Sequence, residues 1–257
     1  MPEILNMTHD LYEGFADRYD LFFARFGEHD FVAVEFFRQL FTENQVRSVL
    51  DCACGTGHDL VLFHSLGCQV VGSDISESML AQARKNLTER GLKAPLQKAD
   101  YRELPQHFNR QFDAVVCLSS SILHMPDESE VLRAFRSMRE VLHDGGILVL
   151  TQGTTDKQWT EKPRFILAVN TQEFSRLFVM DYFDQGARYN ILDIFHSEEA
   201  RDFKIWHVDY PQILLKDDQE RLLKASGFGA VDFYGTYRFD PYDKETSDRL
   251  IAVARKL

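Results

Sequence analysis

The chain has 257 residues, long for one ordinary domain and short for two, and one α/β domain carrying an insertion fits that length. Hydrophobic residues make up 44% and charged residues 27%, a globular composition that does not suit a disordered, fibrous or membrane chain. The net charge of −11, from 40 acidic against 29 basic residues with no Lys/Arg cluster, argues against nucleic acid as a partner, because phosphates are met by basic faces.

Four cysteines, Cys52, Cys54, Cys68 and Cys117, fall in or beside apolar runs and read as small buried thiols. The N-terminus lacks a positive region followed by an apolar run, and no stretch reaches transmembrane length. A cytoplasmic protein without membrane association is the expectation.

In chain order, residues 10–42 look helical, and FVAVEFFRQLF (31–41) carries a broad apolar stripe suited to packing on a sheet. From residue 47 short apolar runs alternate with helical patterns. RSVLDCA (47–53) predicts a strand, GHDLVLFHSLG (57–67) a helix and QVVGSD (69–74) a second strand. SESMLAQARKNLTERG (76–91) predicts a helix capped by Ser76 and closed by Gly91. PLQKAD (95–100) is a weaker strand and FDAVVCLS (112–119) a nearly continuous apolar one, as a strand buried on both faces should be. Asp127 and Glu130 resemble a capping box for a helix that Gly145 would end, before the strand ILVLTQ (147–152). This alternation implies βαβ units and a parallel sheet.

After residue 153 the rhythm changes. GTTDKQWTEKP reads as a polar loop, and FSRLFVMDYF, ARYNILDIF and DFKIWHVDY follow as three strands of an antiparallel meander. A helix (216–228), a strand (230–239) and a final strand (249–256) close the chain, the last two as a hairpin.

The chemistry concentrates at strand ends. Gly55-Thr56-Gly57 lies between the first strand and its helix, where a tight turn lets backbone approach a ligand. Asp74, ending the second strand, is placed to accept hydrogen bonds from two ribose hydroxyls; an N-cap for the next helix is the plain alternative. NAD-binding domains share both features. Asp100, ending the third strand and followed by Tyr101, suits an adenine amino group, and a turn-forming Asp is the plain alternative there.

Taken in register, DCACGTG, SDISESML, ADYRELP, FDAVVCLSS and LHDGGILVL resemble the successive motifs of class I S-adenosylmethionine-dependent methyltransferases. The Ala53-Cys54-Gly55-Thr56-Gly57 turn, with Ala53 where the family usually has glycine, is similar to that of glycine and amino-sugar N-methyltransferases. Tyr12, Ala16, Asp17, Tyr19 and Asp20 are similar to a segment that folds over the cofactor in such enzymes. The resemblance implies a Rossmann-like, seven-stranded, mostly parallel α/β sheet with an antiparallel last strand. It implies an N-terminal helical lid (1–45), a cofactor-binding core (46–153 and 216–257) and an inserted β subdomain over the substrate (154–215). With S-adenosylmethionine as cofactor, it implies that Asp51, Ala53, Gly55, Thr56 and Gly57 line the methionine half. Asp74, Ile75 and Met79 then serve the ribose side, Asp100 and Tyr101 the adenine, Leu118 and Ser119 the wall near the sulfonium, with Tyr12 and Tyr19 from the lid.

On the acceptor side, the segment Ser119–His124 lacks the Asn/Asp-Pro-Pro-aromatic run of enzymes that methylate nucleic-acid bases or protein amides. His124 is the candidate base or orienting group, with Tyr19 beside it as a catalytic candidate. Alternation puts Tyr189, Ile191, Asp193 and Phe195 on one meander face, while Phe203, Ile205 and His207 oppose Lys204, Trp206 and Val208. Tyr189, Trp206, Tyr237 and Arg238 are expected to contact a small-molecule substrate, and Arg164 and Arg176 are further partners for a carboxylate. The histidines look scattered, so no metal is expected. An amine acceptor leads; an O-methyltransferase using His124, an NAD-dependent oxidoreductase and a non-catalytic cofactor-binding subunit remain open. Oligomeric state is open too.

Overall fold

A computed structural model describes residues 16–23, 25–196 and 201–257. Seven strands form one sheet: β1 (Ser48–Asp51), β2 (Gln69–Asp74), β3 (Leu96–Lys98), β4 (Phe112–Cys117), β5 (Leu142–Gln152), β10 (Phe228–Tyr234) and β11 (Leu250–Lys256). Their order is β10-β11-β5-β4-β1-β2-β3, and β11 runs antiparallel to both of its neighbours. The reversal from β1 to β2 on one side and β4 on the other opens a crevice at the carboxyl ends of the strands. Val49, Leu50, Val115, Val116, Leu148 and Val149 are fully buried, as strands covered on both faces require.

Helices cover both faces. The stripe on α2 (Phe31–Glu43) buries Phe36, Phe37, Leu40 and Phe41 against the sheet, and Asp30 caps the helix by accepting from Val32 N at 2.7 Å. Ahead of it, α1 (Ala16–Tyr19) runs into a 3-10 turn, Asp20–Phe22. Helices α3 (His58–Ser65), α4 (Glu77–Glu89), α5 (Leu104–His107), α6 (Glu128–Glu140) and α8 (Lys216–Ala225) complete the layers. Ser76 and Asp127 cap α4 and α6 as their positions predict, accepting from Met79 N and Glu130 N. The end of α6 differs from the sequence expectation. It stops at Glu140 rather than Gly145, because the Val141 carbonyl accepts from Phe112 N at 2.8 Å and draws the chain into β5. Gly145, at φ +78°, instead sits in an irregularity of the β4–β5 pairing.

The insertion carries more structure than its sequence predicts. The segment read as a loop contains α7 (Asp156–Glu161), capped by Thr155, and the meander has four strands rather than three. They are β6 (Phe165–Asn170), β7 (Phe174–Tyr182), β8 (Ala187–His196) and β9 (Arg201–Tyr210), paired antiparallel in sequence order. Tyr189, Ile191 and Asp193 share a face with Trp206 and Val208, and this face turns inward, whereas Phe203 and Ile205 point to solvent. The strand expected at 230–239 ends at Tyr234; beyond it the chain turns at Gly235 and Phe239 takes φ +61°. Among the described residues no helix is long and apolar enough to cross a membrane.

The inner face of the small sheet holds a fully buried ion pair, Arg176 on β7 with Asp193 on β8, at 2.5 and 2.7 Å to the two carboxylate oxygens. Removing one partner strands a charge in a dry interior. Arg176→Met is expected to cost about 3–5 kcal/mol in urea denaturation, and the double variant Arg176→Met/Asp193→Leu to recover most of that loss.

Candidate functional site

The chain leaves β1 at Asp51 and turns back through two glycines, Gly55 at φ +51° and Gly57 at φ +87°, before α3 begins. L side chains resist that backbone. The ring of Tyr19 lies over Gly55, 3.5 Å from where a Cβ would stand, an ordinary packing distance, so the backbone and not the space sets the need for glycine. The Gly55 amide donates to Asp74 Oδ2 at 2.9 Å, and the other oxygen of Asp74 accepts from Ser76 N at 2.9 Å. One carboxylate at the end of β2 therefore ties the glycine turn to the start of α4.

A second carboxylate docks the N-terminal segment onto this turn. Asp20 accepts from Thr56 Oγ1 at 2.6 Å and from Asn86 Nδ2 at 2.8 Å. That anchor sets Tyr19 over Gly55 and brings Phe22 and Phe23 to the crevice. Met79 is buried against Ala16, with Tyr19, Phe22 and Trp206 packed around them. Tyr12 lies outside the described residues.

The turn is acidic. Burial, reinforced by Asp59 and Asp74, pushes the Asp51 carboxyl well above its ordinary range, although it accepts from Ala53 N at 3.2 Å. Burial and then Asp59 also hold the Tyr19 phenol well above its ordinary value. Such a site suits a ligand bearing positive charge and hydroxyl groups. S-adenosylmethionine, with its ammonium, sulfonium and ribose, fits that requirement, and the glycine turn leaves the close backbone approach it needs.

Asp100 is more engaged than its sequence position predicts. It accepts from Arg102 N at 2.9 Å, closing a local turn, and pairs with the Arg102 guanidinium, which also reaches Glu130. Arg102 thus engages both oxygens of the carboxylate, Oδ1 through its backbone N and Nε, and Oδ2 through Nε and Nη2. Tyr101 donates its hydroxyl to Ser121 O at 3.0 Å, bracing the loop after β4. Ile75 is half-buried just beyond Asp74.

That loop begins with Leu118, buried, and then Ser119 and Ser120, both with positive φ (55° and 68°). Two successive non-glycine residues in this region mark a strained, over-determined turn. It is held by Ser119 N donating to Thr151 Oγ1 at 3.0 Å and Ser120 N to Thr151 O at 2.8 Å. Between it and the small sheet lies a cavity of about 430 Å³. Phe22, Phe23, Phe178, Tyr189 and Tyr210 give it aromatic walls, and Ser119, Thr154 and Gln158 give it one polar side. The Tyr189 hydroxyl lies 2.8 Å from Thr154 Oγ1.

Several residues expected at the acceptor do not line this cavity. His124 stands behind Tyr210, ring centroids 5.1 Å apart, and burial lowers its imidazole to about 4. Trp206 packs beside Met79 and the α1 segment. Tyr237 borders a smaller, polar cavity with Arg249 and His29, and Arg238 lines an outer groove beside α2. Arg164 pairs with Asp181 near the surface, and Arg176 is the buried partner of Asp193. These side chains follow sheet alternation and loop paths that sequence spacing does not carry. The aromatic walls from Phe22, Phe23, Phe178 and Tyr210 were missed for the same reason.

The histidines are not all scattered, as the sequence implied. His29, His58 and Asp59 bring ligand-type atoms within 4.8 Å of one another. His58 Nδ1, however, accepts from Gly27 N at 2.9 Å, and burial lowers this imidazole to about 4, so the ring is neutral. Its proton therefore sits on Nε2, leaving that nitrogen a donor. With His29 Nε2 3.0 Å from Asp59 and Phe23 stacked on His58 at 3.5 Å, the group anchors the segment before α2 onto α3.

A reversed β11, a glycine turn after β1 and acids at the ends of β2 and β3 define a nucleotide-cofactor enzyme of the methyl-transferring kind. Residues 49–146 match the family described as a methyltransferase domain. The chain is 29% identical over 228 residues to a glycine/sarcosine N-methyltransferase of Aphanothece halophytica, covering 86% of this chain and 81% of that one. It is 34% identical over 137 residues to the dTDP-3-amino-3,4,6-trideoxy-α-D-glucopyranose N,N-dimethyltransferase of Streptomyces venezuelae, covering 52% and 55% of the two chains. In fold it is similar to an S-adenosylmethionine-dependent methyltransferase of Clostridium acetobutylicum, with TM-score 0.79, 20% identity, and 95% and 98% coverage. The protein is a class I S-adenosylmethionine-dependent methyltransferase, and S-adenosylmethionine is its cofactor. The oxidoreductase and non-catalytic readings fall away.

The raised Asp51 carboxyl has a measurable consequence. Were Asp51 to hold the cofactor's ammonium as the ionised acid, affinity would be full above its raised pKa and fall as pH is lowered through it. Calorimetric titration of S-adenosylhomocysteine at successively lower pH should show that decline. Asp51→Asn should bind more weakly and with a flatter pH profile.

Proposed function

We propose that this protein transfers the methyl group of S-adenosylmethionine to an amine nitrogen of a small molecule bound in the cavity beneath the four-stranded sheet. The observation that carries this reading is the position of Tyr19, whose ring lies against Gly55 and also lines the cavity. One side chain thus joins the cofactor turn to the acceptor space. Two relatives, one acting on glycine and sarcosine and one on an amino sugar, support nitrogen as the acceptor atom.

The cofactor supplies a methyl carbon activated by a sulfonium. The remaining task is to align a nucleophile and keep water away. The cavity lining contains no carboxylate, imidazole, lysine or arginine among the described residues. A hydroxyl acceptor would need a base there. An amine needs only to arrive neutral, and an apolar cavity favours the neutral form by desolvation. His124, lowered to about 4 and set behind Tyr210, is a positioning residue for that wall in this reading, which disfavours the O-methyltransferase alternative.

In the same reading Asp51, Ala53, Gly55, Thr56 and Gly57 hold the methionine half and Asp74 the ribose. Ile75, Met79, Asp100 and Tyr101 enclose the adenosine, and Leu118 and Ser119 face the sulfonium. Residues 1–45 act as a lid, 46–153 with 216–257 as the cofactor core, and 154–215 as the roof over the acceptor.

Asp74→Ala should weaken S-adenosylmethionine binding at least tenfold by calorimetry, since it removes the anchor of Gly55 as well as the ribose acceptor. With saturating cofactor, kcat/KM for an amine should rise with pH up to the amine's own pKa, because only the free base attacks. Wild-type binding of the cofactor without methylation of any amine, alongside methylation of a phenol, would refute nitrogen as the acceptor.

A further inference from the structure

The proposed reading leaves a choice among amines, and the cavity's charge narrows it. Glycine and sarcosine carry a carboxylate next to the nitrogen. An ion of that kind enters an apolar cavity only if a cation or several donors meet it there. The walls here are aromatic and aliphatic, from Phe22, Phe23, Phe178, Tyr189, Ile191 and Tyr210, and no lysine, arginine or histidine lines them among the described residues.

Two guanidiniums lie near this wall and neither lines it: Arg249 sits over the Tyr237 ring in the neighbouring cavity that shares Phe22, Phe23 and Ser119, and Arg176 is held by a carboxylate. Arg176 lies 3.9 Å from the ring centroid of Phe22, which itself lines the cavity, and both oxygens of Asp193 hold it from the side. Arg164 is matched with Asp181 and Arg238 lines a different groove. Size points the same way. At about 430 Å³ the space falls within the range of pockets for drug-sized ligands, roughly 300–1,000 Å³, far more than a two-carbon amino acid fills. The polar side formed by Ser119, Thr154 and Gln158 offers hydroxyl and amide groups, suited to a hydroxyl or ether on the ligand.

Resting on the amine reading above, we infer that the acceptor is an amine with an apolar or aromatic body and no carboxylate beside the nitrogen, and that amino acids are excluded by the uncharged walls. This separates the chain from the glycine/sarcosine enzyme it matches over most of its length.

Matched pairs test the carboxylate alone: phenethylamine against phenylalanine, and ethylamine against glycine. Methylated product is measured by mass spectrometry, and binding of each probe to protein loaded with S-adenosylhomocysteine is measured by calorimetry. The expected result is at least a hundredfold preference in kcat/KM, or in affinity, for phenethylamine over phenylalanine, with glycine poorer still. Equal or better use of phenylalanine or glycine overturns this inference and leaves amine methylation standing. Tyramine separates the two readings: methylation at its oxygen alone overturns both. Ile191→Lys, which sets a cation in the wall, should narrow the phenethylamine preference at least tenfold. A folded variant with an unchanged ratio would overturn the electrostatic account.

Discussion

The hydrogen bond from the Gly55 amide to Asp74 joins the turn after β1 to the end of β2 across the crevice where the sheet changes direction. Its geometry favours a residue without a side chain, because φ at Gly55 is positive. Gly72 on β2 is needed for a different reason, space: a Cβ there would meet the side chains of Leu96, Leu60 and Cys54 at 2.7–2.9 Å. Side chains from β3, α3 and the turn therefore pack directly on the β2 backbone, while Asp51 pairs with Gly72 in the sheet and Asp74 holds the turn through Gly55. Everything above the crevice is built on that platform.

The N-terminal segment makes the connection upward. Asp20 binds Thr56 in the turn and Asn86 on α4, so the aromatic residues flanking it are placed by hydrogen bonds rather than by packing alone. Phe22 then touches the underside of the roof, lying 3.9 Å from the Arg176 guanidinium and 6.2 Å from the Phe178 ring. Turn, segment and roof form one chain of contacts from the cofactor side to the acceptor side. A change in the docking of residues 19–23 reaches both.

Much of the core was legible because buried parallel strands and capped helices leave strong local signals. VVGSD, FDAVVC and the Ser76 and Asp127 caps lie where their patterns require. The glycine turn was legible through Gly55 and Gly57, whose backbone excludes other residues. The insertion was harder to read. β6 reads FILAVN, apolar on both faces although Phe165 and Leu167 are exposed, and α7 is a six-residue helix with Trp159 as its single apolar residue. The early end of α6 follows from a long-range bond between Phe112 and Val141, which no window around Gly145 contains. The cavity walls come from the 19–23 segment, the loops after β4 and β5, α7 and all four strands of the small sheet at once, and the placing of His124 behind Tyr210 is a property of that assembly.

The absence of a charged group from the cavity lining, among the described residues, bears on both binding and chemistry. An apolar, aromatic enclosure destabilises an ammonium before transfer and so favours the reactive free base. After transfer the nitrogen bears a positive charge, and the faces of Tyr189 and Tyr210 are suited to tolerate it briefly. The nitrogen keeps its own protons through the transfer, and one of them is surrendered to water once the product leaves. A base in the wall would assist that last step, but as a carboxylate it would also hold the incoming ammonium and slow the attack. An uncharged wall is thus consistent with an acceptor whose own basicity, rather than a protein group, manages the proton, and the same wall is what turns a carboxylate away.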